Sequence, residues 1–254
     1  MKKLFIAATV IVAMVSCKKE TISTPGIQSP ANGFSKKITK IITESEGDAP
    51  YEYSCTYDAQ ARIIKEIYDG DVSTFDYSVA NSILVTEKTA AGALKSTSEY
   101  LLNEKGIVIR KIYKNASGQV MYDYTFSYNA EGYIAKVEMK NGNNVNVYER
   151  EYEDGNMVRM KQYFNGVYNQ LREYTYDKTK LNSFPAHEGF YDKKVFGKII
   201  KNVITETKVT SMITGTITFH TRYNWEYNNE GYNVREVATS VLSGKKTINT
   251  YSYE

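Results

Sequence analysis

The chain has 254 residues, 42% hydrophobic, 13% aromatic and 24% charged, with a formal net charge of +3. That is long enough for one large or two ordinary domains with a real core, and it excludes a disordered or collagen-like chain. A mean hydropathy of -0.46 with one apolar run at the extreme N-terminus excludes a helical membrane protein, which needs about 20 apolar residues per span, and so small a charge imbalance speaks against nucleic acid as a partner.

Lys2 and Lys3 precede an apolar stretch from Leu4 to Val15. This is the charged n-region and short h-region of a secretory signal, too short to cross a bilayer. The stretch ends in Met14-Val15-Ser16-Cys17, which resembles the lipobox of bacterial lipoproteins. The resemblance implies a signal peptide over residues 1–16, a lipid on Cys17 and a membrane as partner through that anchor. Lys18 stands where inner-membrane lipoproteins carry Asp, so the resemblance implies the outer membrane. The Cys17-Lys18-Lys19-Glu20 start is similar to export signals of surface lipoproteins in the Bacteroidota, which favours the cell surface over the periplasmic face. Residues 17–35 hold Pro25, Gly26, Pro30 and Gly33 among Thr, Ser and Asn, and read as a tether ahead of a single domain over 36–254. With Cys17 lipidated, Cys55 has no partner for a disulfide within one chain and reads as a small buried apolar residue.

Beyond Ser35 the chain alternates. Val120, Tyr122, Tyr124, Phe126 and Tyr128 fall on one side and Met121, Asp123, Thr125 and Ser127 on the other, the period of a half-buried strand. Glu131-Gly132 breaks the run, and Tyr133, Ala135, Val137 and Met139 then oppose Ile134, Lys136, Glu138 and Lys140. Asn-Gly and Asp-Gly pairs supply tight hairpin turns. A longer period overlies this pattern. Tyr57, Leu102, Tyr128, Tyr152, Tyr176, Tyr227 and Tyr253 form a ladder with steps of 45, 26, 24, 24, 51 and 26. The two long gaps are each read as hiding a worn copy, near Tyr77 and near Lys201-Asn202. One unit of about 25 residues is two strands and two turns, as an antiparallel meander requires.

Four residues past the turn glycine, or past Ala61 in the first copy, stands Lys65, Arg110, Lys136, Arg159 or Arg235. Asp123, Glu149, Glu151, Glu173 and Glu226 lie on preceding strands, so the bases read as a solvated face with interleaved charges and not as a stripe for an anionic ligand.

The Tyr-x-Tyr-(Asp/Asn)-x-x-Gly-x-hydrophobic-x-(Lys/Arg) pattern resembles the tyrosine-aspartate (YD) repeats of wall-associated and Rhs-type proteins. It is still more similar to a family of Bacteroidota lipoproteins of unknown function with a porin-like β-fold. The resemblance covers most of residues 40–254 and implies an all-β fold without a known activity. About 220 residues at roughly 12 per strand and turn give 16 to 18 strands, and so wide an antiparallel meander is expected to curl or close into a barrel to remove its edges. An aromatic ladder is expected inside, partly wet because buried tyrosine hydroxyls need partners.

Catalytic chemistry is not visible. His187 and His220 have no second His or Cys at ligand spacing, and the nucleophile elbow, phosphate loop and dinucleotide fingerprint are absent from the sequence. No enzyme, cofactor or metal is therefore expected. The stretch from Lys178 to Gly197 breaks the alternation and offers Phe184, His187 and Tyr191 as candidate ligand-binding residues on a long loop. Tyr223 and Trp225, on the same side of one strand, are a second candidate surface for stacking on a ligand. The function expected is a non-catalytic surface binding module for a glycan, peptide or partner protein. The alternative is a transmembrane pore or a structural envelope component.

Overall fold

The computed structural model describes residues 35–183 and 193–254. They form β1 (Ile38–Ser45), β2 (Tyr51–Tyr57), β3 (Ile63–Tyr68), β4 (Asp71–Asp76), β5 (Ser82–Lys88), β6 (Leu94–Leu102), β7 (Val108–Asn115) and β8 (Val120–Tyr128). There follow β9 (Ile134–Asn141), β10 (Asn144–Glu153), β11 (Asn156–Phe164), β12 (Val167–Leu181), a 3-10 turn (Lys193–Phe196), β13 (Asn202–Ser211), β14 (Ile217–Tyr227), β15 (Asn233–Ser240) and β16 (Lys246–Tyr253). Every strand pairs antiparallel with its neighbours in sequence, and β16 returns to β1, so the expected meander closes as a barrel of sixteen strands among the described residues. Closure leaves no strand edge exposed.

Alternation sets which side chains fill it. On β8, Tyr124 and Phe126 point inward with Val137 of β9, while Asp123 and Thr125 point out. The inward set from β1 to β9 makes one apolar cluster that includes Ile41, Tyr53, Phe75, Val85 and Tyr100. Outward, three of the five bases meet acids expected to pair with them, while Lys136 meets Glu138 of its own strand at 3.8 Å. Arg110 donates two hydrogen bonds to Asp123 at 2.9 and 2.7 Å, Arg159 meets Glu151 at 3.5 Å and Glu173 at 4.0 Å, and Arg235 binds Glu226.

The tyrosine ladder has a specific mechanical role. Near the start of β1, β3, β7, β9, β11, β13 and β15 a backbone carbonyl accepts one hydrogen bond from an aromatic side chain in the following strand or, for Tyr77, just past its end. Tyr57 donates to Ile38, Tyr77 to Ile63, Tyr128 to Val108, Tyr152 to Ile134, Tyr176 to Met157, Trp225 to Ile204 and Tyr253 to Asn233, at 2.6 to 2.9 Å. The carbonyls are available because all seven lie at β-bulges: Ser127 pairs with Lys136 and Tyr128 with Ile134, so two residues of β9 face one of β8. A bulge inserts an unpaired residue, and a buried carbonyl freed in this way needs another donor. The exception is consistent with the rule. β5 pairs with β4 without a register shift, and the ladder position on β6 is Leu102, which has no hydroxyl.

Two expectations are corrected. Strict alternation put Ile134 on the side of Lys136, but the bulge turns it inward, and Ile134 and Val137 are 0% and 3% exposed. The second long gap in the ladder hides no worn copy. It is one unit widened by the connection between β12 and β13, whereas Tyr77 does fill the first gap.

The described part of that connection folds back on the barrel end. Phe196, 1% exposed, meets Tyr100 and Phe126 edge-on at 6.2 and 5.4 Å between ring centres. The backbone N–H groups of Lys198 and Lys201 donate to the carbonyls of Gly132 and Gly155. Buried amides fix its two ends: Asn202 N–H donates to Asn156 Oδ1 at 2.9 Å, and Ser183 bonds Asn233. Gly197 has φ +75°, and a Cβ there would lie 2.5 Å from the Gly132 carbonyl oxygen, so the close approach requires glycine.

Candidate functional site

Tyr223 and Trp225 both project inward from β14, but into different surroundings. The Trp225 indole N–H is committed to the Ile204 carbonyl, and its ring stacks on Tyr251 at 6.4 Å, so on β14 the ladder bond is made by Trp225 and not by the expected Tyr227. Tyr223 lies against Thr207 and within electrostatic reach of Tyr174, Arg172 and Glu236. Phe184, His187, Tyr191 and Cys17, the residue expected to carry a lipid, lie outside the described residues.

The cluster around Tyr223 is built by strands β10 to β14. Arg150 of β10 and Arg172 of β12 both face Met160 of β11, so the two guanidiniums share the inner wall about 10 Å apart at the backbone. Arg172 hydrogen-bonds Tyr174 and acts electrostatically on Tyr148 and Tyr223, whose hydroxyls burial otherwise holds in the neutral form. Its Nε is buried and finds no hydrogen-bond partner among the described residues. The same wall carries Gln162 and Gln170, paired across β11 and β12. Among the described residues the register puts no Asp or Glu on the inner side from β10 to β14. No residue of β10 or β12 is fully buried, and the inward Phe164 and Phe219 near the hairpin end are 41% and 46% exposed. This wall is therefore half open along β10 and β12, whereas beside it on β13 and β14 the inward Thr207, Val209 and Thr221 are buried.

The two arginines were legible in the sequence but were not singled out. Tyr148-Glu-Arg150-Glu-Tyr152 and Arg172-Glu-Tyr174-Thr-Tyr176 put each arginine in phase with tyrosines, on the inward side, whereas the bases read as a solvated face are in phase with acids.

On the outer wall a cleft of about 470 Å³ lies over β11 to β14, lined by Arg159, Glu173, Glu206, Lys208 and His220 among others. That is within the size range of ligand sites, but its charges satisfy one another. Glu206 accepts from His220 at 2.5 Å and from Arg222 at 3.2 Å, and these bonds hold its carboxyl below the usual range. Among the described residues no group of three His, Cys, Asp or Glu could hold a metal.

Residues 53–235 match the family described as "Domain of unknown function (DUF4595) with porin-like fold". The chain belongs to that family. Two solved structures share the DUF4595 chain's fold. A porin-like protein from Bacteroides uniformis ATCC 8492 aligns with a TM-score of 0.63 at 18% identity, covering 87% of this chain and 100% of the other. A porin-like protein from Bacteroides vulgatus ATCC 8482 aligns at 0.65 and 11% identity, covering 87% and 99%. No curated protein matches the DUF4595 chain.

Proposed function

We propose that this protein is a lipid-anchored lipoprotein of the outer membrane, displayed at the cell surface, whose barrel stands in water and acts as a non-catalytic binding module. The observation that carries the reading is the sidedness of the wall. Lys65, Arg110, Lys136, Arg159, Lys161, Lys208 and Arg235 point outward from the strands, interleaved with acids, while the apolar cluster lies inside. A spanning barrel has the opposite arrangement, with an outward apolar band about 25 Å tall, and each Lys or Arg facing lipid near the midplane costs about 2–4 kcal/mol. The Cys17 anchor, which the lipobox resemblance supports, then supplies membrane attachment that the barrel itself does not. Binding falls to the half-open inner wall, where aromatic rings and amides converge without the tight packing of the opposite side.

The test is the behaviour of the full chain carrying Cys17→Ser. A monodisperse, β-rich species in buffer without detergent is expected, together with loss of the lipid label and of membrane association seen with Cys17. Strict detergent dependence with conductance in a planar bilayer would overturn the reading in favour of a transmembrane pore.

A further inference from the structure

Among the described residues the inner wall carries a charge that no neighbouring acid balances, and this deepens the binding reading on which it rests. In the β1–β9 half, the inward Lys111 is answered by Glu66 and Glu87 and lies over the rings of Tyr100 and Tyr124 at 5.1 and 5.5 Å. In the β10–β14 half, Arg172 acts on the phenols of Tyr174, Tyr148 and Tyr223, and among the described residues the register brings no inward acid beside it. Glu236, the inward acid beyond it on β15, is bound to Tyr251 and Asn249, and burial alone pushes its carboxyl upward. The Arg172 Nε is buried without a hydrogen-bond partner among the described residues, and a guanidinium fork is matched by a planar or tetrahedral oxyanion through paired N–H donors.

We infer that Arg172 is the anchor of a lumenal oxyanion site that takes an acidic saccharide, its carboxylate or sulfate on the guanidinium and its ring against Tyr148, Tyr174 and Tyr223. The saccharide is favoured over an acidic peptide by what surrounds the cation. Three phenols offer flat faces and hydroxyls, and the Gln162 and Gln170 amides on the same wall each provide donors and an acceptor suited to sugar hydroxyls. An extended peptide would instead seek an open strand edge, and this closed sheet has none among the described residues.

Trp225, the chain's one tryptophan, stands two residues from Tyr223 and serves as an internal reporter. The full chain with Cys17→Ser is titrated with a uronic-acid oligosaccharide, a sulfated oligosaccharide, their neutral counterpart and a glutamate-rich peptide, following Trp225 fluorescence and calorimetry. At least one acidic saccharide is expected to bind, weakening with salt, and the uronate and sulfate arms identify which oxyanion is used. Arg172→Met is expected to lower that affinity at least tenfold. Arg172→Lys, which keeps the charge but not the fork, should fall between, and Lys208→Met on the outer wall should leave it unchanged. Unaltered thermal melts of these variants separate lost binding from lost folding. Equal binding of acidic and neutral saccharides, preference for the peptide, or full affinity in Arg172→Met would overturn the oxyanion site while leaving a binding module. Failure of every probe would overturn the site, and conductance with detergent dependence would overturn the module reading separately.

Discussion

The two halves of this barrel share one strand pattern and differ in what they do with its inward face. From β1 to β9 the inward residues pack into a closed cluster, sealed at one end by Phe196. From β10 to β12 the inward residues, Met157 and Met160 apart, are polar or aromatic, and beyond the buried Asn156 they stay partly exposed. The charges follow the same division: Lys111 sits among carboxylates, Arg172 among hydroxyls. A repeat can therefore fix strand, turn and bulge in every copy while leaving inward positions free to specialise, one half toward stability and the other toward recognition.

The sharpest way to break this contrast is to cut one side chain from each half. Phe196→Ala removes a ring that is nearly inaccessible and leaves a cavity against Tyr100 and Phe126, so a loss of about 3–5 kcal/mol is expected in denaturant unfolding. Met160→Ala, on the half-open wall between the arginines, is expected to cost less than about 2 kcal/mol. Equal losses would mean that the β10–β12 side is as tightly packed as the other.

A second contrast concerns pH. Burial pushes the Glu66 carboxyl up to about 7, against the lowering effects of its hydrogen bond from Tyr53 at 2.6 Å and of nearby Lys111. Its folded pKa is raised, so the folded state keeps a proton that the unfolded chain has already released. The contribution to stability is then full below the unfolded value near 4.5 and is lost as pH rises toward 7. Glu66→Gln should remove that loss. The variant's stability relative to the parent should improve by on the order of 3 kcal/mol between pH 4 and pH 8, read from melts across the range. A pH-independent difference would show that Glu66 does not titrate in that window.

Strands, turns and the ladder were legible because period-2 alternation and Asx-x-x-Gly turns are local signals. Asn129 illustrates the turn: its Oδ1 accepts the N–H groups of Glu131 and Tyr133, and Gly132 takes φ +91°. The bulges were not legible, because a register shift is a property of two strands and only Ser127 and Tyr128 together reveal where β9 slips. The seat of Phe196 was equally hidden, since it depends on rings about 70 and 96 residues away in sequence. Of the candidate residues, Tyr223 leads to the polar wall, whereas Trp225 is explained by its bond to the Ile204 carbonyl.

The ladder hydrogen bonds give a smaller and more discriminating prediction. Tyr128→Phe keeps the ring but leaves the Val108 carbonyl without its 2.7 Å donor, for an expected loss of about 1–1.5 kcal/mol. Leu102→Tyr adds a hydroxyl at the one ladder position whose preceding odd strand, β5, pairs with β4 without a bulge, so no gain is expected there. A gain would mean that the hydroxyl, and not the freed carbonyl, is the limiting partner.

The smallest effect compares the same turn in the two halves. Between β2 and β3, Asp58 caps the N–H groups of Gln60 and Arg62, and Ala61 takes φ 63°. Between β14 and β15, Asn228 caps Glu230 and Tyr232, and Gly231 takes φ 82°. An L-residue in this left-handed region brings its Cβ against backbone, a cost that glycine escapes while giving back some chain entropy. Ala61→Gly is therefore expected to stabilise by about 0.5–1 kcal/mol and Gly231→Ala to destabilise by a similar amount. Equal and opposite shifts in denaturation midpoint would show that the turn is energetically the same device in both halves, leaving the inward side chains as the source of their difference; a shift at Gly231 alone would place part of that difference in the backbone.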